Sequence, residues 1–176
     1  TGKPGVIAFE GSYHGLSHGP LAALGLSPSM RSPFEPHLGV PVTFVPYPRG
    51  AEALDASLSA VRAALAKGDV GAVLVEPMLG RGGCVAPPIS FLPALRSLTY
   101  EADALLIADE VWTGMGRTGG ARGSSMLASV NASVNADVLC LGKGLGGGFP
   151  ISACVGSARV MEAWGGHGGT RIHTGT

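Results

Sequence analysis

The sequence predicts an α/β fold, a mostly parallel sheet with helices on both faces, and three observations predict it. Short apolar runs recur without the in–out alternation of a half-exposed strand, as strands buried on both faces do. Stretches with helical spacing separate them. Several of the runs end directly on an ionisable residue, the pattern of strands that deliver side chains to the carboxyl edge of a parallel sheet.

The elements follow in order. Pro4 to Phe9 (PGVIAF) reads as a strand bounded by turn residues. Leu16 to Leu26 reads as a helix of poor quality, and residues 27–41, with Pro28, Pro33, Pro36 and Pro41, as an extended loop. Val42 to Val45 (VTFV) is the second strand. Glu52 to Lys67 places Leu54, Leu58, Val61 and Leu65 at helical spacing, with Gly68 as the stop. Ala72 to Val75 (AVLV) is a strand running into Glu76, and Leu92 to Tyr100 a helix after PPIS. Leu105 to Ala108 (LLIA) delivers Asp109 and Glu110; Val138 to Leu141 (VLCL) delivers Gly142 and Lys143. A strand over Ile151 to Val155 and a helix over Ala158 to Trp164 close the series.

Composition excludes several classes. Of 176 residues, 45% are hydrophobic and 14% charged, enough apolar material for a sizeable core. Twelve basic and twelve acidic residues cancel, which leaves no electrostatic footprint for nucleic acid or an anionic membrane. The 29 glycines cluster after residue 110 without a period, so the chain is not collagen-like and its backbone turns tightly or approaches a ligand at several points. Cys84, Cys140 and Cys154 lack a CxxC pair and read as buried small hydrophobes of a reducing compartment. With no membrane-length apolar run and no signal peptide, the expected location is cytoplasmic. The start at Thr1 and the end in RIHTGT are expected to mark a fragment of a longer polypeptide.

Function must then come from a local site. Glu76, Asp109 and Lys143 each follow an apolar strand, so the sheet brings three ionisable groups to one edge. Lys143 lies between Gly142 and Gly144, where a bulky planar partner can reach its amine; the loop alone fits an inert surface lysine equally well. A phosphate-binding GxxxxGK[ST] loop fails twice, at Asp137 and Gly144. Asp109 calls for a cation, because an unpaired buried carboxylate is costly; a protonated pyridine nitrogen or an ordinary ion pair would serve. His14 and His18 stand four apart but lack a third metal ligand. Glu110 and Arg117 read as structural, through hydrogen bonds near the strand end and in the loop after Asp109.

The segments ADEVWTGMGRTG (residues 108–119) and DVLCLGKGLGGGFPISACVG (137–156), preceded in order by GSYHG (11–15) and VLVEP (73–77), resemble the class III aminotransferases of pyridoxal-phosphate fold type I. The resemblance covers essentially the whole chain. It implies that Lys143 holds pyridoxal phosphate as a Schiff base and shuttles a proton between substrate and cofactor carbons. Asp109 would pair with the pyridinium nitrogen, keeping the ring an electron sink. Tyr13 would stack on one ring face and Val111 press on the other. His14 would sit in the turn near the cofactor, with Glu76 close to the pyridinium–Asp109 pair. Thr176 would reach the cofactor phosphate of the neighbouring subunit in a homodimer.

The resemblance further implies that residues 1–176 are part of the large cofactor-binding domain. The N-terminal part, with its phosphate-cupping segment, and the small C-terminal domain, with its substrate-carboxylate arginine, would be absent. Three positions depart from the family's pattern. Arg81 stands where many members carry a glutamate that pairs with an arginine and gates dual-substrate recognition. Leu79 replaces a polar side chain, and Trp112 stands where glutamine or another small or medium residue is usual. The carboxylate-switching mechanism is therefore not carried over. The expected function is transfer of an amino group from an amine or amino acid to an oxo acid, with no nucleic-acid or membrane partner. The alternatives are a non-catalytic truncated domain that binds pyridoxal phosphate and an aminomutase using the same lysine; a nucleotide-binding P-loop module stands behind both.

Overall fold

The computed structural model describes residues 1–119 and 132–163. Its strands are β1 (Gly5–Phe9), β2 (Val42–Val45), β3 (Val70–Val75), β4 (Leu105–Asp109), β5 (Val138–Leu141) and β6 (Ala153–Gly156). They form one six-stranded sheet in the order β2-β1-β3-β4-β5-β6. The first five strands are mutually parallel, and β6 returns antiparallel to β5. The helices are α1 (His18–Ala22), α2 (Pro28–Arg31), α3 (Leu54–Leu65), α4 (Phe91–Glu101) and α5 (Ala158–Glu162).

Side chains alternate across each strand, and on one face Ile7, Phe9, Val45, Val73, Val75 and Leu106 are all sealed. The stripes of α3 (Val61, Ala64, Leu65) and α4 (Phe91, Leu92, Leu95, Leu98) close over them. Phe9, Tyr47 and Phe91 pack edge-on around one another with ring centroids 5.3–5.8 Å apart, a favoured arrangement of ring quadrupoles. On the opposite face Val6, Phe44, Ala72, Leu74, Leu105 and Ile107 stay partly exposed among the described residues. There α2 reaches the sheet through Arg31, whose guanidinium lies 4.2 Å over the Phe44 ring. Arg96 and Asp137 form an ion pair at 2.7 Å, and the same Asp137 oxygen accepts from the Leu106 N–H at 2.8 Å, fixing where β5 enters the sheet.

Three expectations need correction. The proline-rich stretch 27–41 is not wholly extended: it winds into α2 and a 3₁₀ turn over Ser32–His37. Pro28 and Pro33 open these two short helices, where a missing N–H costs nothing because first-turn N–H groups have no intrahelical acceptor. The reading of the cysteines as buried holds only in part for Cys140; Cys84 and Cys154 are exposed. Cys84 occupies a left-handed turn at φ +52°, and Cys154 lies on the edge strand β6, so neither faces the core. The helix predicted over 16–26 shortens to α1, its ends set by Gly15 at φ +118° and by Gly25, where a Cβ would overlap the Phe9 carbonyl.

Candidate active site

The carboxyl ends of β1, β3, β4 and β5 open into one pocket of about 540 Å³, within the range of small-ligand sites. Tyr13 and His14 come from the turn after β1, Glu76 ends β3, Asp109 closes β4 and Lys143 follows β5. The order β2-β1-β3 reverses direction between β1 and β3, so the pocket lies at the switch point where parallel sheets leave a crevice.

Asp109 is 8% exposed, and both its oxygens are engaged. The Val111 N–H donates to Oδ1 at 3.1 Å, and His14 Nδ1 lies 2.7 Å from Oδ2. The His14 side chain is 3% exposed, and its Nε2 is buried without a hydrogen-bond partner among the described residues. Each Asp109 oxygen has two lone pairs, so the carboxylate can accept one more donor from the pocket side.

Glu76, 5% exposed, grips two loops at once. Its Oε1 accepts from the Tyr13 N–H at 2.7 Å and its Oε2 from the Gly80 N–H at 2.9 Å. Burial pushes the Glu76 carboxyl above the ordinary carboxylate range, and the Asp109 charge adds to this; the two N–H donors and His14 pull it back. Below it the Tyr47 hydroxyl lies 3.1 and 3.2 Å from the carbonyl oxygens of Glu76 and Pro77, donating its proton there, and burial raises its pKa.

Lys143 has φ +45°, a left-handed conformation that costs a non-glycine residue roughly 1–2 kcal/mol. It opens a single 3₁₀ turn, Lys143–Gly146, rather than the long helix a phosphate loop would need. Its amine has no hydrogen-bond or ion-pair partner among the described residues. Glycine lets the neighbours close in: a Cβ on Gly142 would lie 3.3 Å from Val111 Cγ1, and one on Gly144 would lie 3.2 Å from Met115 Cβ. Val111 thus packs directly beside the lysine.

The loop after Glu76 forms the opposite wall. Leu79 and Val85 pair antiparallel through two 3.0 Å backbone hydrogen bonds, and Leu79 is fully buried. A Cβ on Gly80 would meet the Trp112 indole at 3.2 Å, and one on Gly82 would overlap the Gly11 carbonyl. Arg81, held in this pinned loop, places its guanidinium 4.5 Å from the centroid of the Tyr13 ring.

The pocket therefore gathers Lys143, Asp109, Glu76, Tyr13, His14 and Val111; Thr176 lies outside the described residues. His18 is exposed at the start of α1, apart from His14, which is committed to Asp109. Glu110 accepts from the Thr113 hydroxyl at 2.6 Å, the structural bond expected of it. Arg117 donates its backbone N–H to the Gly114 carbonyl at 3.4 Å within the loop after Asp109, and the residue is exposed. Tyr47 and the Leu79–Val85 pairing had no signature in the sequence, since both depend on contacts between distant segments. Burial, then Asp109 and Cys154, lifts the Cys140 thiol to about 11, so it is no thiolate nucleophile near neutral pH. Among the described residues no helix is long and apolar enough to cross a membrane.

The family profile described as Aminotransferase class-III matches residues 1–172. The acetylornithine aminotransferase of Mycolicibacterium smegmatis is 41% identical over 97% of this chain, which covers 40% of that protein. The putrescine aminotransferase of Pectobacterium atrosepticum is 41% identical over 92% of the chain and 32% of its own length. Among solved structures, the ornithine aminotransferase from Toxoplasma gondii, described with partial occupancy of PLP at its active site, superposes with a TM-score of 0.79 at 30% identity. That superposition spans 97% of this chain and 37% of the other. The chain thus spans well under half the length of these relatives.

Proposed function

The chain belongs to the class III aminotransferase family, and we propose that it carries the ring-binding edge of a pyridoxal-phosphate-dependent transaminase. The whole enzyme would move an amino group from an amine or amino acid to an oxo acid. One observation carries the reading: an amine without a partner among the described residues and a buried carboxylate with accepting capacity to spare line the same pocket at the ends of adjacent parallel strands. Bound pyridoxal phosphate supplies an aldehyde that takes up amines and a ring that draws electrons from the substrate carbon.

The residues present fit that group. Lys143 Nζ would hold the aldehyde and, when free, would carry a proton between substrate and cofactor. Asp109 would hold a proton on the ring nitrogen, with His14, 2.7 Å away, fixing the rotamer of Asp109. Val111, beside Lys143, and Tyr13 would cover the two faces of the ring. Glu76 positions both Tyr13 and the Gly80 loop through their N–H groups. Thr176, on this reading, reaches the phosphate of a partner subunit in a cytoplasmic homodimer. The greater length of the relatives supports placing the rest of the phosphate cradle and a small carboxy-terminal domain outside these residues.

The test is spectroscopic. The whole protein reconstituted with pyridoxal phosphate is expected to show a visible absorbance band that shifts on adding an amino donor. Lys143→Ala is expected to abolish the band; a band that survives this substitution rules out Lys143 as the attachment point.

A further inference from the structure

The family resemblance leaves Arg81 unexplained, because the glutamate usual at its position is what would face an arginine. The structure gives Arg81 a definite setting. Its backbone is pinned on both sides, by the Leu79–Val85 pairing and by the Gly80 N–H on Glu76. Its guanidinium borders the pocket and stacks on Tyr13. No acid answers its charge among the described residues. The nearest buried carboxylates are committed elsewhere: Glu76 to two backbone N–H groups, Asp109 to His14 and the Val111 N–H. The pocket rim therefore carries an exposed positive charge whose five donors have no protein acceptor among the described residues.

We propose that Arg81 is the anion-recognising residue of this pocket, binding the carboxylate of the substrate. This rests on the transaminase reading and deepens it: the preferred partners are carboxylate-bearing amino and oxo acids rather than simple amines. A guanidinium over a half-buried ring is a modest contact, while a fork-to-fork pair with a carboxylate is both stronger and directional. An arriving carboxylate thus draws Arg81 off Tyr13, and stacking keeps the side chain near the pocket until then. Trp112, packed against Gly80, gives the same wall an apolar part for the substrate's carbon chain.

Glutarate, a dicarboxylate with no group to react, is the probe, with calorimetry on the whole protein as the readout. The wild type is expected to bind glutarate, Arg81→Gln to bind it ten- to hundredfold more weakly, and Arg81→Lys to recover part of the loss, keeping the charge without the fork. Glutarate binding that is absent in the wild type, or unchanged by Arg81→Gln, overturns the proposal. The cofactor phosphate is the other anion Arg81 could meet. If Arg81→Gln weakens pyridoxal phosphate tenfold while glutarate binding stays unchanged, the residue serves the cofactor and the proposal fails. A wild type without the visible band would sink the transaminase reading separately, because glutarate binding does not depend on Lys143.

Discussion

The sheet interior and the sheet edge lie a few residues apart on the same strands and are built on opposite principles. In the interior, Phe9, Val73, Leu106 and Phe91 are interchangeable in kind: each contributes apolar area, and several neighbours share every contact. At the edge every group is singular. Asp109 has one histidine and one N–H, and Glu76 has two N–H groups from two loops. Stability is thus distributed and the site is not. A core substitution should lower stability without touching the chemistry, and an edge substitution should do the reverse.

The largest effect expected is in the core. Phe91→Ala removes the ring that completes the triangle with Phe9 and Tyr47, and is expected to cost about 3–5 kcal/mol of unfolding free energy. Denaturant titration of the whole protein checks the loss. Cofactor affinity, measured where the variant is still folded, should stay within a factor of about two to three. A tenfold fall would show that the interior and the edge are not separable.

The converse experiment is Asp109→Asn. The amide can still accept from the Val111 N–H and donate to His14, so stability should change by no more than about 1 kcal/mol. Without a charge to hold the ring-nitrogen proton, turnover is expected to fall about a hundredfold, about 2.7 kcal/mol or two pKa units of lost proton affinity. Steady-state rates beside a thermal melt decide it; a large stability loss with little change in turnover would place Asp109 among the structural groups.

The same contrast explains what the sequence revealed. Strands were legible because apolar residues on both faces leave an uninterrupted apolar signal, and Glu76, Asp109 and Lys143 stood out because each breaks such a run at its carboxyl end. The partners were not legible. His14 and Asp109 are 95 positions apart, and Tyr13 and Glu76 are 63 apart, so only the finished sheet brings them together. The stacking of Arg81 on Tyr13 belongs to the same class. The prolines of 27–41 misled because the residue type marks both extended backbone and the first turn of a helix, and neighbouring contacts choose between them.

The smallest effect tests whether the edge also carries a stability term of its own. Burial raises the folded-state pKa of Glu76, so in mildly acid solution the folded protein holds a proton that the unfolded chain has released. The folded state binds more protons across that window, which runs from the ordinary glutamate value up to the raised one. Its stability must therefore fall as pH rises through the window and level off above it. Glu76→Gln carries no such proton and should flatten this part of the profile. It should also lose about 1 kcal/mol at the acid end, because an amide offers one acceptor oxygen where Tyr13 and Gly80 both donate. Subtracting the two unfolding profiles isolates Glu76 from the other carboxyls. A difference curve independent of pH would mean that the two backbone N–H groups fully offset its burial, leaving the edge as neutral to stability as the simple contrast holds.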